Sequence, residues 1–443
     1  MKKILVVILA MFTFVANSYA AKSSDISSVI KESGVDTESI AISIKNVSDG
    51  SRVYSLNDKR LMNPASVQKV LTTPAIVDTL GIDYEFETSI YARGEDSYVI
   101  KLGADPYFKV QDLKKLLSFV NKETKRIYID DTILDTKTWG EGWQWDDDMN
   151  SLMPRFGAYN LDGNLIKLTI MPPEGNSPAV IINPSGYPLV FFNNIKNGES
   201  TKIQLHRDST ISANTLVLSG TVARPTTVYI PTNNLKRYFE VQLTKTLESR
   251  NIYLKESYCF DNVKSSDKFL SKVTHKMDIA VNDIFKNSNN LVSETLFKLA
   301  GRKHCNLLTG TDASGIKMFN DYCVKNGLDN SRIRIADSSG VSKNNLVSAD
   351  FVTEFLYKNK NNKIMESLPC PGEGTLTRRM LSIKDNLRAK TGTLSDVSAI
   401  AGYLVAKSGK KYSFCIMIND MKFSSADKKM LEDYLIKEAY LRL

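Results

Sequence analysis

The chain has 443 residues, long enough for more than one domain, and its 58 basic and 49 acidic side chains give a formal charge of +9. That excess is spread without a basic run or interleaved aromatics, so it suits solubility or an anionic wall or membrane and argues against nucleic-acid binding. Three histidines without H-x-x-x-H spacing argue against a zinc hydrolase, and five cysteines without a C-x-x-C pair define no disulfide framework; no metal or cofactor is expected, and free thiols are.

In chain order, the first element is a leader. Lys2-Lys3 is a basic start, Ile4 to Val15 is apolar, and Ser18-Tyr19-Ala20 supplies small residues at the cleavage positions, which reads as a secretory signal peptide over residues 1–20. The apolar run falls short of the about 20 residues that a bilayer span needs. Removal of Lys2 and Lys3 takes the charge from +9 to +7. The expected product is exported, periplasmic or otherwise in the cell envelope, and soluble or peripheral to the membrane.

Asn63-Pro64-Ala65 then introduces Ser66-Val67-Gln68-Lys69, and Val70, Ile76, Val77 and Leu80 precede Gly81. The pattern predicts a helix start, a buried helix and its stop, with Ser66 on the first turn. Ser66 and Lys69, three apart, project from one face, so the amine reaches the hydroxyl. A serine hydroxyl is un-ionised at neutral pH and needs a proton acceptor; a lysine serves only where burial or nearby cations lower its pKa. The same S-x-x-K spacing occurs at Ser28/Lys31, Ser265/Lys268, Ser408/Lys411 and Ser425/Lys428, so alone it distinguishes nothing from a serine at the head of a core helix.

Residues 91–272 read as an inserted region, mostly β, in two subdomains. Strand-like segments are Tyr98 to Leu102, Ile127 to Ile129, Lys167 to Ile170, Ala179 to Ile182 and Thr215 to Leu218, with helices near Asp112 to Val120 and Leu235 to Glu248. Asp146-Asp147-Asp148, after Trp143 and Trp145, reads as a solvated acidic turn rather than a cation cage.

Beyond the insert, Ser288-Asn289-Asn290 lies in a polar turn before the amphipathic stretch Val292, Leu296, Phe297 and Leu299. Ser288 could pass a proton to a leaving amine and Asn290 could hold Lys69 and a substrate amide; ordinary N-capping is the plainer alternative. Asn386 to Gly392 predicts a strand ending in Lys390-Thr391-Gly392-Thr393, followed by strands Val397 to Val405 and Tyr412 to Ile418, a meander. Gly392 would admit a substrate backbone, Lys390 and Thr391 would offer a cation and a hydroxyl to a carboxylate, and the N–H groups of Thr393 and Ser66 would form an oxyanion hole. Lys407-Ser408-Gly409 repeats the pattern, but between two strands, where it reads as a hairpin turn. A last helix around Ala426 to Tyr440 carries the core stripe Met430, Leu431, Tyr434, Leu435 and Ala439.

The ordered set S-x-x-K, S-x-N, K-T-G resembles that of the active-site serine penicillin-binding enzymes. More specifically, Asn63-Pro64-Ala65-Ser66, Gly142-Trp143-Gln144-Trp145-Asp146-Asp147, Ser288-Asn289-Asn290-Leu291, Asp337-Ser338-Ser339-Gly340-Val341-Ser342, Leu368-Pro369 and Gly374-Thr375-Leu376 are similar to class C low-molecular-mass D-alanyl-D-alanine carboxypeptidase/endopeptidases. The resemblance implies an α+β catalytic domain of the serine β-lactamase and penicillin-binding transpeptidase type, formed by residues 21–90 and 273–443. It also implies Ser66 as nucleophile, Lys69 as base, Ser288 and Asn290 in the second element, Lys390 with Thr391 on the terminal carboxylate, peptidoglycan stem peptides as substrate and β-lactams as covalent inhibitors. Two departures stand out: Asn289 replaces the family's usual aspartate, and Gly103-Ala104-Asp105-Pro106 replaces a more glycine-rich run.

The expected function is therefore an exported serine D-Ala-D-Ala carboxypeptidase, with endopeptidase action on the cross-link as an extension. A β-lactamase or esterase on the same motifs and a catalytically silent wall-binding protein stand as alternatives.

Overall fold

The computed structural model describes residues 26–443 apart from residue 176; the expected signal peptide lies outside the described residues. Strands Val397–Val405 and Lys411–Asn419 are buried along nearly their whole length, which accounts for their unbroken apolar runs: each alternate residue meets a different core. Ala399, Ala401 and Tyr403 face one cluster with Phe355 and Val70. Ile400 and Leu404 face another with Ile30, Leu431 and Leu435. The small alanines on the first face let helix Ala349–Lys358 lie close, while helices Ile26–Ser33 and Ser425–Arg442 cover the second.

These two strands sit inside a five-stranded antiparallel sheet in the order Leu387–Thr393, Val397–Val405, Lys411–Asn419, Ile40–Asn46, Arg52–Leu56. The meander is as expected, and Gly409, at φ +84°, makes the hairpin between its last two strands, so Lys407-Ser408-Gly409 is a turn. Helices Gln68–Leu80, Asn290–His304 and Asp312–Lys325 pack beside the sheet. The fold is α+β.

The chain leaves this body on strand Glu85–Arg93 and returns on Lys268–Lys276, and the two pair antiparallel, Glu85 opposite Lys276. The limits expected at 90/91 and 272/273 fall inside that pair. Ser97–Lys101, Arg126–Asp130 and Cys259–Phe260 extend it to five strands, the last two pairings parallel. Two three-stranded sheets follow within the insert: Thr226–Pro231, Leu165–Met171, Val180–Ile182, and Val190–Asn197, Thr215–Val222, Lys202–Arg207. Its helices are Val110–Leu117 and Leu235–Glu248. All five cysteines are free thiols; Cys323 and Cys415 are buried and Cys259, Cys305 and Cys370 half-buried.

Candidate active site

Ser66 lies on the 3-10 turn Ala65–Val67 that opens helix Gln68–Leu80. The turn is forced: Ala65 has φ +45°, a left-handed conformation that costs a non-glycine residue about 1–2 kcal/mol. Two neighbours hold it. Asn63 Oδ1 accepts the Ala65 N–H at 2.9 Å while its Nδ2 donates to Ser342 O at 3.0 Å. Gly340, at φ +83°, lies so close that a Cβ there would stand 1.8 Å from the Ala65 carbonyl oxygen. Ser66 remains half-buried, at the edge of the cleft.

One helical turn on, Lys69 is fully buried. Its Nζ is 2.9 Å from Ser66 Oγ, 2.6 Å from Asn290 Oδ1 and 2.7 Å from Ser339 O. Two of these neighbours are carbonyl oxygens, which only accept, and the third is a hydroxyl, which can donate. A neutral amine has two hydrogens for the carbonyls and one lone pair for the hydroxyl, so the surroundings match the uncharged form. Burial pushes Lys69 down to about 7, opposed by the carboxylates of Glu294 and Asp337. Glu294, itself pushed up by burial and then by Asp337, accepts the N–H groups of Ser338 and Ser339 at 3.3 and 2.7 Å, which fixes the carbonyl that Lys69 meets.

The second element sits opposite. Ser288 caps the π-turn Asp283–Asn287 in the left-handed region, φ 58° and ψ 34°. Asn289 is the N-cap of helix Asn290–His304, its Oδ1 accepting from Val292 N. Capping thus belongs to Asn289, which leaves Ser288 and Asn290 facing the cleft. Ser288 Oγ accepts from Lys390 Nζ at 2.9 Å, and Asn290 Nδ2 donates to Leu152 O at 2.8 Å. Lys390 is fully buried, also donates to Thr391 O at 2.8 Å, and is held well below the ordinary lysine value by burial and then by the charge of Lys69.

The third element is the strand Leu387–Thr393. A Cβ on Gly392 would stand 2.7 Å from Pro64 O and 2.8 Å from Ser66 N, so the glycine lets the strand end lie against the serine turn. Thr391 Oγ1 donates to Thr375 Oγ1 at 2.7 Å, and Thr393 is exposed at the strand end. Ser66, Lys69, Ser288, Asn290, Lys390, Thr391 and Gly392 are therefore brought together through direct contacts, with Thr393 next along the strand.

Several participants have no place in the three motifs. Ser339 presents its carbonyl to Lys69, Leu152 reaches in from the insert, and Thr375 holds Thr391. Asp337 organises the segment behind them: its carboxylate accepts from Gly340 N, Ser342 N, Asn345 Nδ2 and, at 2.8 Å, the indole N–H of Trp143. The runs around Asp337, Trp143 and Gly374 are visible in the sequence as matches without roles. Leu152 carries no sequence signal, because its contribution is a main-chain oxygen. Of the three adjacent aspartates, Asp148 pairs with Arg207 at 2.9 Å.

Residues 22–438 match the model of the D-Ala-D-Ala carboxypeptidase 3 (S13) family. The chain belongs to that family. It is thus a serine-type D-Ala-D-Ala carboxypeptidase by membership, a hydrolase of the penicillin-binding class, as its motifs imply. It is 24% identical over 435 residues to the D-alanyl-D-alanine carboxypeptidase of Actinomadura sp. (strain R39), covering 89% of this chain and 80% of that one. It is also 24% identical over 417 residues to the D-alanyl-D-alanine carboxypeptidase DacB of Haemophilus influenzae, covering 87% and 86%. The crystal structure of penicillin binding protein 4 (dacB) from Haemophilus influenzae superposes with a TM-score of 0.83 at 21% identity, covering 94% of this chain and all of that one. The structure of the same protein complexed with a β-lactam gives 0.76 at 21% identity, covering 94% and 99%. The S13 chain therefore shares its fold, insert included, with a solved penicillin-binding protein.

Proposed function

We propose that the chain is exported and removes the terminal D-alanine from peptidoglycan stem peptides through an acyl-enzyme on Ser66. The observation that carries the reading is the buried Lys69 amine, which meets two obligate acceptors and the Ser66 hydroxyl. Lys69 takes the hydroxyl proton as Oγ attacks the carbonyl carbon of the penultimate D-alanine. Negative charge that develops on that carbonyl oxygen is met by the N–H groups of Ser66 and Thr393. When the C–N bond breaks, the proton that Lys69 took passes through the Ser288 hydroxyl to the departing amine, so D-alanine leaves and Lys69 is neutral again. Water then attacks the ester, its proton returns through Lys69, and Ser66 is regenerated.

Lys390 and Thr391 supply the carboxylate subsite. Burial holds both amines below the ordinary lysine value, and a neutral Lys69 removes the neighbouring charge that further disfavours the ammonium form of Lys390. An arriving carboxylate then favours a proton on Lys390. The cross-link between D-alanine and a diamino acid presents the same acyl group with a different leaving amine, so endopeptidase action uses the same steps. A β-lactam acylates Ser66 in the same way, but its leaving nitrogen stays tethered by the opened ring, so release is slow; the Haemophilus influenzae protein of this fold is known complexed with a β-lactam. Export rests on the N-terminal leader.

Labelled penicillin tests the assignment. The wild type is expected to gain one adduct on the peptide carrying Ser66, and Ser66→Ala none. Equal labelling of both would move the nucleophile elsewhere.

A further inference from the structure

Ser288 is held in a left-handed conformation, yet it is not glycine, asparagine or aspartate, the residues that tolerate that region best. The surrounding contacts supply the constraint. The Asp283 carboxylate accepts from the side-chain amides on both sides of Ser288: Asn287 Nδ2 to Oδ1 at 2.8 Å and Asn289 Nδ2 to Oδ2 at 2.8 Å. The Asp283 carbonyl accepts the Ser288 N–H and, at 3.3 Å, that of Asn289. A third side-chain donor, Tyr107 OH, comes from the insert and reaches Oδ2 at 3.2 Å.

We infer that Asp283 is a positioning residue for the proton-transfer serine: one carboxylate clamps both neighbours of Ser288 and so aims its hydroxyl at Lys390, with Asn289 as the arm that must be a carboxamide. The inference rests on the acylation of Ser66 proposed above. It explains the departure at position 289. An aspartate would cap helix Asn290–His304 equally well. It would also put a second carboxylate within 2.8 Å of Asp283, where the two cannot both ionise without repulsion. The chain carries the residue that caps and donates at once. Tyr107 lies against the His275 ring, whose Nδ1 is 2.6 Å from Asp105 Oδ2, so the clamp also joins the insert to the cleft.

The test compares the rate of Ser66 acylation by labelled penicillin, and kcat and KM on a D-Ala-D-Ala peptide, between pH 5 and 9. The proteins are the wild type, Asn289→Asp, Asp283→Asn, the double swap and Asn287→Ala. The groups around the clamp are Tyr107, the Asp105 and His275 pair, the Lys286 and Glu373 ion pair, and Lys69 and Lys390 across the cleft. None of them changes between variants. For Asn289→Asp the ratio of variant to wild-type rate should fall as pH rises, because a shared proton at low pH restores the donor that ionisation removes. Asp283→Asn should lower kcat by about 10- to 100-fold, the scale of a small misplacement of a reacting group. The swap, which restores one carboxylate facing one carboxamide, should recover part of the loss. Asn287 is exposed, so Asn287→Ala removes one arm without touching the core, and it should lower kcat even if the other variants fold poorly. An Asn289→Asp profile equal to wild type at every pH would reduce Asn289 to a cap and overturn the clamp. So would full activity in Asn287→Ala. A wild type that is not acylated at all would instead overturn the functional reading.

Discussion

In the proposed mechanism Lys69 sets the pH behaviour of the site. Its ammonium form has no lone pair, so the Ser66 proton has nowhere to go below the lysine pKa. With that pKa pushed down to about 7 by burial, the acylation rate should rise with pH through about 7 and level above it; stopped-flow acylation by a reporter β-lactam measures it. A flat profile between pH 5 and 9 would contradict Lys69 as the base. Gly392→Ala should abolish acylation, because the added methyl meets Pro64 O at 2.7 Å and Ser66 N at 2.8 Å, and both are backbone. An adduct formed at the wild-type rate would refute that packing account. At this scale the sequence carries much of the site, since S-x-x-K, S-x-N and K-T-G are side-chain patterns. Ser339 and Leu152 act through carbonyl oxygens, which any residue type supplies, and so leave no trace in composition or spacing.

The elements around Ser66 are fastened by buried polar groups rather than by apolar contact alone. Asp337 is the principal fastener, and Trp143, from the insert, is one of its four donors. Trp143→Phe keeps an aromatic ring in the core but removes that N–H, and a hydrogen bond to a charged group contributes about 1.5–3 kcal/mol. Denaturant unfolding should register a loss of that order, with a smaller acylation rate, since the same carboxylate holds Gly340 against the Ala65 carbonyl. Unchanged stability would show that the indole only fills space. Legibility at this scale follows burial. Helix Leu235–Glu248 and strand Val397–Val405 match their expected limits because a continuous apolar stripe or run marks them. Strands Val190–Asn197 and Lys202–Arg207, which mix exposed and half-buried residues with asparagines and lysines, carry no such stripe and escape the reading.

Over the whole molecule, the body that carries Ser66, Lys69, Ser288 and Lys390 is built from two distant parts of the chain, joined where Glu85–Arg93 pairs with Lys268–Lys276. The interval between Lys69 and Ser288 is absorbed by sheets that begin and end on neighbouring strands, so the insert adds a structure without parting Lys69 from Asn290. The motif order reveals that an insert exists, whereas its sheet order depends on pairings between distant strands that no local pattern encodes. The five free thiols report on the body as a whole. Cys323 and Cys415 are buried, and burial pushes Cys323 up to about 12. A thiol reagent should label Cys259, Cys305 and Cys370 in the native protein and reach Cys323 and Cys415 only on unfolding. Early labelling of Cys415 would contradict the packing of the central strand.

The most direct test of the central claim is product analysis by mass, with the purified protein and Ser66→Ala incubated in parallel with a disaccharide pentapeptide ending in D-Ala-D-Ala. The account predicts loss of one alanine residue from the pentapeptide with the wild type and none with the variant. Release of D-alanine by both proteins, or by neither, would contradict an acyl-enzyme on Ser66.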